Sequence, residues 1–507
     1  MKEAHGPVAS NVRARTWPLL SFFDGLIQET TENLNMASDR LQRSPEWRIL
    51  GALYAAEVCL VLGLLAWHRQ IGKSNPAEFW TSFYGIVTIV AFIGMATMLV
   101  VALWWCLADR QAGSRRWVLA LWMNVVVVAV VLFVGEVALR MLVVPTNTGE
   151  KLGSLLLHPR QWMKAKAAYL SILDKADQSE TYMVADEDFG WTLGKGRRSH
   201  DGLYSIGNQG FRTARAGEVI ANETLPCRIA IVGDSYTFGS KVAFEDTWGS
   251  VLESELGGHC QVLNFGVAGF GVDQMYLRYL RDIRPWHPNM VILAFIGDDV
   301  KRTMGVYSFL MFPNADYPFP KPRFVIHNGE SHIINRPLLS SRQIFSIGTI
   351  GELPFINYDI MYAQPEWDQP GWNYFYRSYI FRLLTSLRPL YKHDRPETSI
   401  SETMRINGAL FLKFRQAVID DGAMPLIVYL PEQWDIMEEA REAIGVKILK
   451  SVQVAHVNVT PCMRSFSVSD LFNAPEVGGH YSVKGNREAA KCMIEDVKSS
   501  IQEFAPR

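Results

Sequence analysis

Residues Arg228–Ser235 read RIAIVGDS, an apolar run that stops at Gly-Asp-Ser. A short apolar run bounded by a turn signal marks a buried strand. The pattern recurs on either side. Gln261–Phe265 ends in Gly266-Val267-Ala268-Gly269, and Met290–Ile296 ends in Gly297-Asp298-Asp299. Pro425–Leu430 and Val452–Val459 supply a fourth and a fifth run. Helical spacing fills the gaps: Trp248, Val251, Leu252 and Leu256 share one face, Tyr276–Asp282 continues as a helix, and the patterns at 402–420 and 486–503 flank the last two strands. Alternating β and α units predict an α/β fold, a mostly parallel sheet with helices on both faces. Ligands of such sheets lie beyond the carboxyl ends of the strands, where the three Gly/Asp-rich turns fall. Residues 300–400, rich in Pro and aromatics, break the alternation and read as an insertion beside the site.

Composition bounds the function. At about 150 residues per domain, 507 residues suggest two or three units. Apolar residues make up 49%, charged residues 20%, and mean hydropathy is +0.03, which excludes disorder for most of the chain. Basic and acidic residues nearly cancel, 50 against 51, so no net field attracts nucleic acid. Six cysteines exclude a disulfide-stapled miniature fold. No CxxC or Cys/His cluster suggests a metal, and no cofactor is expected. GxSxG is absent, so the α/β-hydrolase elbow is not supported.

Three apolar stretches precede the sheet: Ile49 to Trp67, Phe79 to Ala108 and Trp117 to Leu139. Each reaches the roughly 20 residues needed to cross a bilayer. They predict three N-terminal transmembrane helices over 48–143, after a cytoplasmic segment at 1–47. Arg40, Arg43 and Arg48, then Arg110, Arg115 and Arg116, outweigh Arg69 and Lys73 in the first loop. The positive-inside rule then places 146–507 outside. Residues 144–225 read as a connector and pre-domain, and 226–507 as the α/β domain. Glu57 lies mid-span, whereas Glu136 pairs with Arg140 one helical turn away.

The turn residues carry a resemblance. Gly233-Asp234-Ser235 resembles the first block of the SGNH (GDSL-type) hydrolases, and Asn264-Phe265-Gly266-Val267-Ala268-Gly269 resembles the second. Gly297-Asp298-Asp299 falls where the third block would, and Gly479-His480-Tyr481-Ser482 with Gly485-Asn486 resembles the final histidine block. Glu136/Arg140, Asn208-Gln209-Gly210-Phe211-Arg212 and Asp273-Gln274 are similar to features of the family's membrane-anchored bacterial branch. The resemblance implies a flavodoxin-type sheet, with Ser235 as nucleophile and His480 as base. Its oxyanion hole would comprise the N–H of Ser235, the N–H of Gly269 and the side chain at Asp298. Asp234, Asn264 and Asp299 would support these groups. In the family's sheet order the first two strands are neighbours, which implies a Cys227–Cys260 disulfide; Cys462 and Cys492 form a second candidate pair.

A serine hydroxyl is a poor nucleophile until a base takes its proton, and a strand-to-helix turn leaves N–H groups free for an oxyanion. Two positions depart from the family pattern. Asp298 stands where the family has Asn, and an ionised carboxylate accepts hydrogen bonds without donating them. Either Asp298 is protonated beside Asp299 and donates, the favoured reading, or it turns away and leaves two backbone donors. No Asp stands two or three residues before His480, and Glu476 and Asp470 do not match that position, so a Ser–His dyad is expected.

The expected protein is a multi-pass protein of the bacterial cytoplasmic (inner) membrane with a periplasmic esterase or O-acyltransferase domain. Its substrates would be acyl, above all acetyl, esters of envelope or secreted glycans. The resemblance implies an inner-membrane partner, a multi-span acyl donor protein. The alternative is a catalytically weak or inactive SGNH domain that serves in binding or assembly; Asp298 and the missing triad Asp favour it, and Ser235, Gly269 and His480 oppose it.

Overall fold

The computed structural model describes Val128 and residues 131–176, 181–221, 227–313, 315–368, 373–387, 395–438, 442–474 and 479–504. Residues 143–377 and 389–507 form one compact unit. Its centre is a seven-stranded sheet. In chain order the strands are β1 (Ser205–Ile206), β2 (Arg212–Thr213), β3 (Arg228–Gly233), β4 (Gln261–Asn264), β5 (Met290–Phe295), β6 (Met424–Tyr429) and β7 (Val457–Asn458). Their spatial order is β7-β6-β5-β3-β4-β2-β1. The five strands from β7 to β4 are parallel, and β2 and β1 extend the β4 edge antiparallel.

The central strands are apolar throughout because both faces are covered. Ala230, Val232, Leu293 and Phe295 face a core shared with Ile406, Leu410 and Phe411. Their alternates Ile229, Ile231, Ile292 and Ala294 face a core shared with Trp248, Leu252, Met493 and Val497. The helices that matter for the site are α1 (Ser235–Phe238), α2 (Trp248–Glu255), α3 (Val272–Arg278), α4 (Gly297–Arg302), α5 (Ile400–Asp420) and α6 (Val483–Phe504). The register pairs Ala294 of β5 with Gly233 of β3, which brings the turns after these two strands side by side. The Cys227–Cys260 bond is formed just before β3 and β4, with Cα atoms 4.4 Å apart, and Cys462–Cys492 is formed at 5.9 Å.

Several expectations are corrected. The fifth strand shrinks to Val457–Asn458, because helix Ile444–Ser451 precedes it and Gln453 turns the chain at φ 54°. The helix expected from Tyr276 begins at Val272, where Gln274 Oε1 accepts from Gly271 N. The insertion contains a hairpin, Arg323–His327 with Glu330–Ile334, that the sequence did not signal.

The three-span part of the expected fold is overturned. No helix among the described residues is long and apolar enough to cross a membrane. Of the third stretch, the described part is a helix over 131–142 that belongs to a second unit with 378–388. There Glu136 accepts hydrogen bonds from Ser378 Oγ and from the N–H groups of Tyr379 and Ile380, besides pairing with Arg140 at 2.7 Å. Its carboxylate therefore caps helix Tyr379–Leu387, a role the apolar run around it did not reveal. Residues 49–67 and 79–108 lie outside the described residues, as does the 1–47 segment.

Candidate active site

The turn after β3 is tight. A Cβ at Gly233 would stand 2.1 Å from Thr237 Oγ1 and 2.4 Å from the carbonyl of Ala294, so only glycine lets β3 pass this close to β5. Asp234 caps α1 by accepting from Tyr236 N at 2.8 Å. Ser235 then opens the helix. Its N–H has no intrahelical partner and no other partner among the described residues. Arg212 holds the far end of this segment through the carbonyls of Phe238, Gly239 (2.6 Å) and Val242 (2.7 Å).

The turn after β4 is fastened to the same place. Val267 N donates to Gly233 O at 3.0 Å, and Asn264 Nδ2 donates to Thr237 O at 2.8 Å. Gly269 adopts φ 82°, a left-handed conformation that favours glycine. Its N–H likewise has no partner among the described residues. Trp191 Nε1 donates to Ala268 O at 3.0 Å and backs this loop.

His480 arrives from the chain just before α6. Its Nε2 lies 2.8 Å from Ser235 Oγ. Tyr236 packs beside the imidazole, ring centroids 5.3 Å apart, and its hydroxyl donates to Gly479 O at 3.3 Å. Burial lowers the imidazole pKa below 6.5; Asp234 opposes the shift, while Arg302 and Lys241 add to it. The imidazole is therefore neutral at pH 7 and able to take the serine proton. Asp470 is committed to Lys484 at 2.8 Å on the surface, and Glu476 lies outside the described residues.

Asp298 is not brought to this pair. Its side chain is 48% exposed and bonds Lys301 Nζ at 3.1 Å, an i,i+3 pairing within α4. Among the described residues it makes no hydrogen bond with Ser235, Gly269 or His480. The buried carboxyl of this turn is Asp299, which accepts from Ile296 N at 2.9 Å. Burial, and then the nearby Asp234, push its pKa well up, against the pull of Arg302.

Sequence reading missed Arg302. Its Nη1 lies 2.9 Å from Asp234 Oδ2 and 2.5 Å from Asp299 Oδ1. The i,i+3 spacing from Asp299 was the available signal; the Asp234 contact was not visible in one dimension. Glu432 was missed too. It lies with Asp298, Lys301 and Asp435 on a cavity of about 200 Å³, and burial, with Asp298 and Asp435 nearby, raises its pKa to about 8. Among the described residues no cluster of His, Cys, Asp and Glu could hold a metal ion.

No protein-family model and no curated protein matches this chain. Among solved structures it is similar to a lipolytic protein of the G-D-S-L family from Desulfitobacterium hafniense DCB-2, at 11% identity and TM-score 0.27 over 53% of this chain and 98% of that one. It is also similar to the lipase/acylhydrolase from Enterococcus faecalis, at 9% identity and TM-score 0.28 over 54% of this chain and 96% of that one. An acetyl xylan esterase matches at 12% identity and TM-score 0.28 over 53% of this chain and 99% of that one. Likenesses at these identities and TM-scores carry no weight in assigning an activity, which has to come from the site itself.

Proposed function

We propose that this chain is a serine esterase or acyltransferase of the SGNH type, acting outside the cytoplasm on O-acyl groups carried by glycans. The observation that carries this reading is the 2.8 Å approach of His480 Nε2 to Ser235 Oγ, beside the unengaged N–H groups of Ser235 and Gly269. A hydroxyl paired with a neutral imidazole and facing oriented donors is the arrangement that acyl transfer needs. Ser235 Oγ bonds to the acyl carbon while its proton passes to His480 Nε2. The carbonyl electron pair moves onto the oxygen, which meets the two N–H groups. Collapse expels the alcohol, which takes the proton from His480 and leaves acyl-Ser235. Water or a sugar hydroxyl then repeats the two steps in reverse.

Two further observations support the finer parts of the reading. A cleft of about 1040 Å³ is lined by Tyr182, Tyr317 and Phe319 together with Lys175, Arg197 and Asp316. Aromatic faces interspersed with charged groups suit sugar rings and their hydroxyls. Phe312 adjoins Tyr317, with centroids 5.2 Å apart, and reaches the Gly269 loop. The two disulfides favour an oxidising compartment. A fluorophosphonate should label the wild type and spare Ser235→Ala, and acetylated oligosaccharides should leave an acetyl adduct on the wild type in intact-mass spectra. An unlabelled wild type would overturn the enzyme reading in favour of a binding domain.

A further inference from the structure

We infer that the side-chain donor of the oxyanion hole is Arg302, and that Asp298 takes no part in it. This rests on the serine-esterase reading above.

Helix α4 begins at the carboxyl end of β5 and divides its charges between two sides. Asp298 and Lys301 pair on the outer side, with side chains 48% and 58% exposed. Asp299 and Arg302, each one residue further on, turn inward, with side chains 0% and 15% exposed. The guanidinium thus lies on the buried side of α4 and the Asp298 carboxylate on its exposed side.

Its position is fixed from both sides. Arg302 Nη1 donates to Asp234 Oδ2 at 2.9 Å, and Ser235 Oγ lies 3.2 Å from that same oxygen. On its other side the guanidinium carbon is 5.4 Å from the centre of the Phe312 ring. Two atoms of that ring stand 3.2 Å from where a Cβ on Gly269 would be. Arg302 therefore touches the Ser235 turn directly and faces the Gly269 loop by way of the Phe312 ring, and these two segments supply the backbone donors.

It also has donors to spare. A guanidinium carries five N–H groups. Both described hydrogen bonds of the Arg302 guanidinium use Nη1. Among the described residues Nε and Nη2 have no partner, and neither is sealed from solvent. The two carboxylates clamp one edge, so the free edge is held in place before any substrate arrives. Such preorganisation lets a donor stabilise developing charge without reorganising. In the acylation step the carbonyl electron pair moves onto oxygen while Ser235 loses its proton to His480. Arg302 then faces a full negative charge, and it remains cationic at every working pH.

Three variants of the full chain test this with p-nitrophenyl acetate as substrate and a trifluoromethyl ketone, whose serine adduct carries the oxyanion. Asp298→Ala should keep kcat within about twofold. Arg302→Gln combined with Asp299→Asn removes the cation together with one of its two carboxyl partners; it should lower kcat by about 10²–10³ with little change in KM. Affinity for the trifluoromethyl ketone should fall by a similar factor. Arg302→Lys should recover part of both losses. Ketone affinity left unchanged in the double variant would show that Arg302 does not meet the oxyanion, and that result would overturn the inference. So would a loss of about 10² in kcat for Asp298→Ala, a half-exposed position whose replacement leaves the fold alone. Wild type unlabelled by a fluorophosphonate would instead sink the esterase reading itself.

Discussion

His480 Nε2 stands 2.8 Å from Ser235 Oγ although 245 residues separate the two in the chain. The parallel sheet closes that distance. Ser235 leaves the carboxyl end of β3, and the segment before α6 returns to the same end, where Tyr236 ties it down through Gly479 O. The entropic cost of closing so long a loop grows only logarithmically with its length, and the sheet rather than the pair holds the two side chains at this distance.

Loss of either partner should therefore disable the pair. Ser235→Ala and His480→Ala should each reduce kcat/KM for p-nitrophenyl acetate on the order of 10³-fold or more, and the double variant should lose little beyond that. Melting temperatures should stay near that of the wild type. A fully active Ser235→Ala enzyme would rule out the mechanism.

The pH profile follows from the imidazole's surroundings. Burial holds its pKa below 6.5, and Arg302 and Lys241 lower it further, whereas Asp234 raises it. Protonation removes the base, so kcat/KM should fall as pH drops through a limb below 6.5 and be flat above it. Asp234→Asn removes the only charge in that set that favours imidazolium, so the limb should move to lower pH. A wild-type limb above pH 7 would contradict the assignment.

Gly269→Ala tests the second backbone donor. The residue sits at φ 82°, and a methyl there would press on the Phe312 ring at 3.2 Å. The left-handed conformation costs a non-glycine residue about 1–2 kcal/mol. A shifted N–H should also slow turnover by about 10²-fold. Denaturant melts and steady-state kinetics measure the two effects separately, and an Ala variant with wild-type kcat would remove Gly269 from the site.

Lys321 and Asp273 form a fully buried pair at 2.5 Å, and Lys321 Nζ also donates to the carbonyl of Arg302 at 3.1 Å. Removing one partner leaves an uncompensated buried charge, so Lys321→Met should cost about 3–5 kcal/mol. Lys321→Met with Asp273→Leu should recover much of that loss. Additive losses in the double-mutant cycle would show that the two side chains do not depend on each other.

The Cys227–Cys260 bond closes a 33-residue separation around α2. Its removal in a Cys227→Ser/Cys260→Ser variant should lower unfolding free energy by about 2–4 kcal/mol. Peptide maps under non-reducing conditions should recover the two cysteines as one cross-linked species.

By itself the sequence determined the strands β3 to β6, the glycine turns at their carboxyl ends and the residues that stand on those turns. These signals are local: an apolar run buried on both faces and a glycine where the chain reverses can be read from neighbouring residues alone. Edge strands β1 and β2 were illegible because two residues each carry no period. The fate of the charges belonged to the tertiary structure. Asp298, Asp299 and Arg302 are near neighbours in the chain, but which carboxylate meets solvent and which meets Arg302 depends on how β5 lies against β3. Asp234 became Arg302's partner only because the β3 and β5 turns are adjacent. Glu136 is the same case: its apolar surroundings suggested a membrane span, and only the approach of Ser378, Tyr379 and Ile380 identified its carboxylate as a helix cap. Apolar burial is additive along a chain and can be read from it, whereas a charge takes its role from the partner that folding brings within about 3 Å.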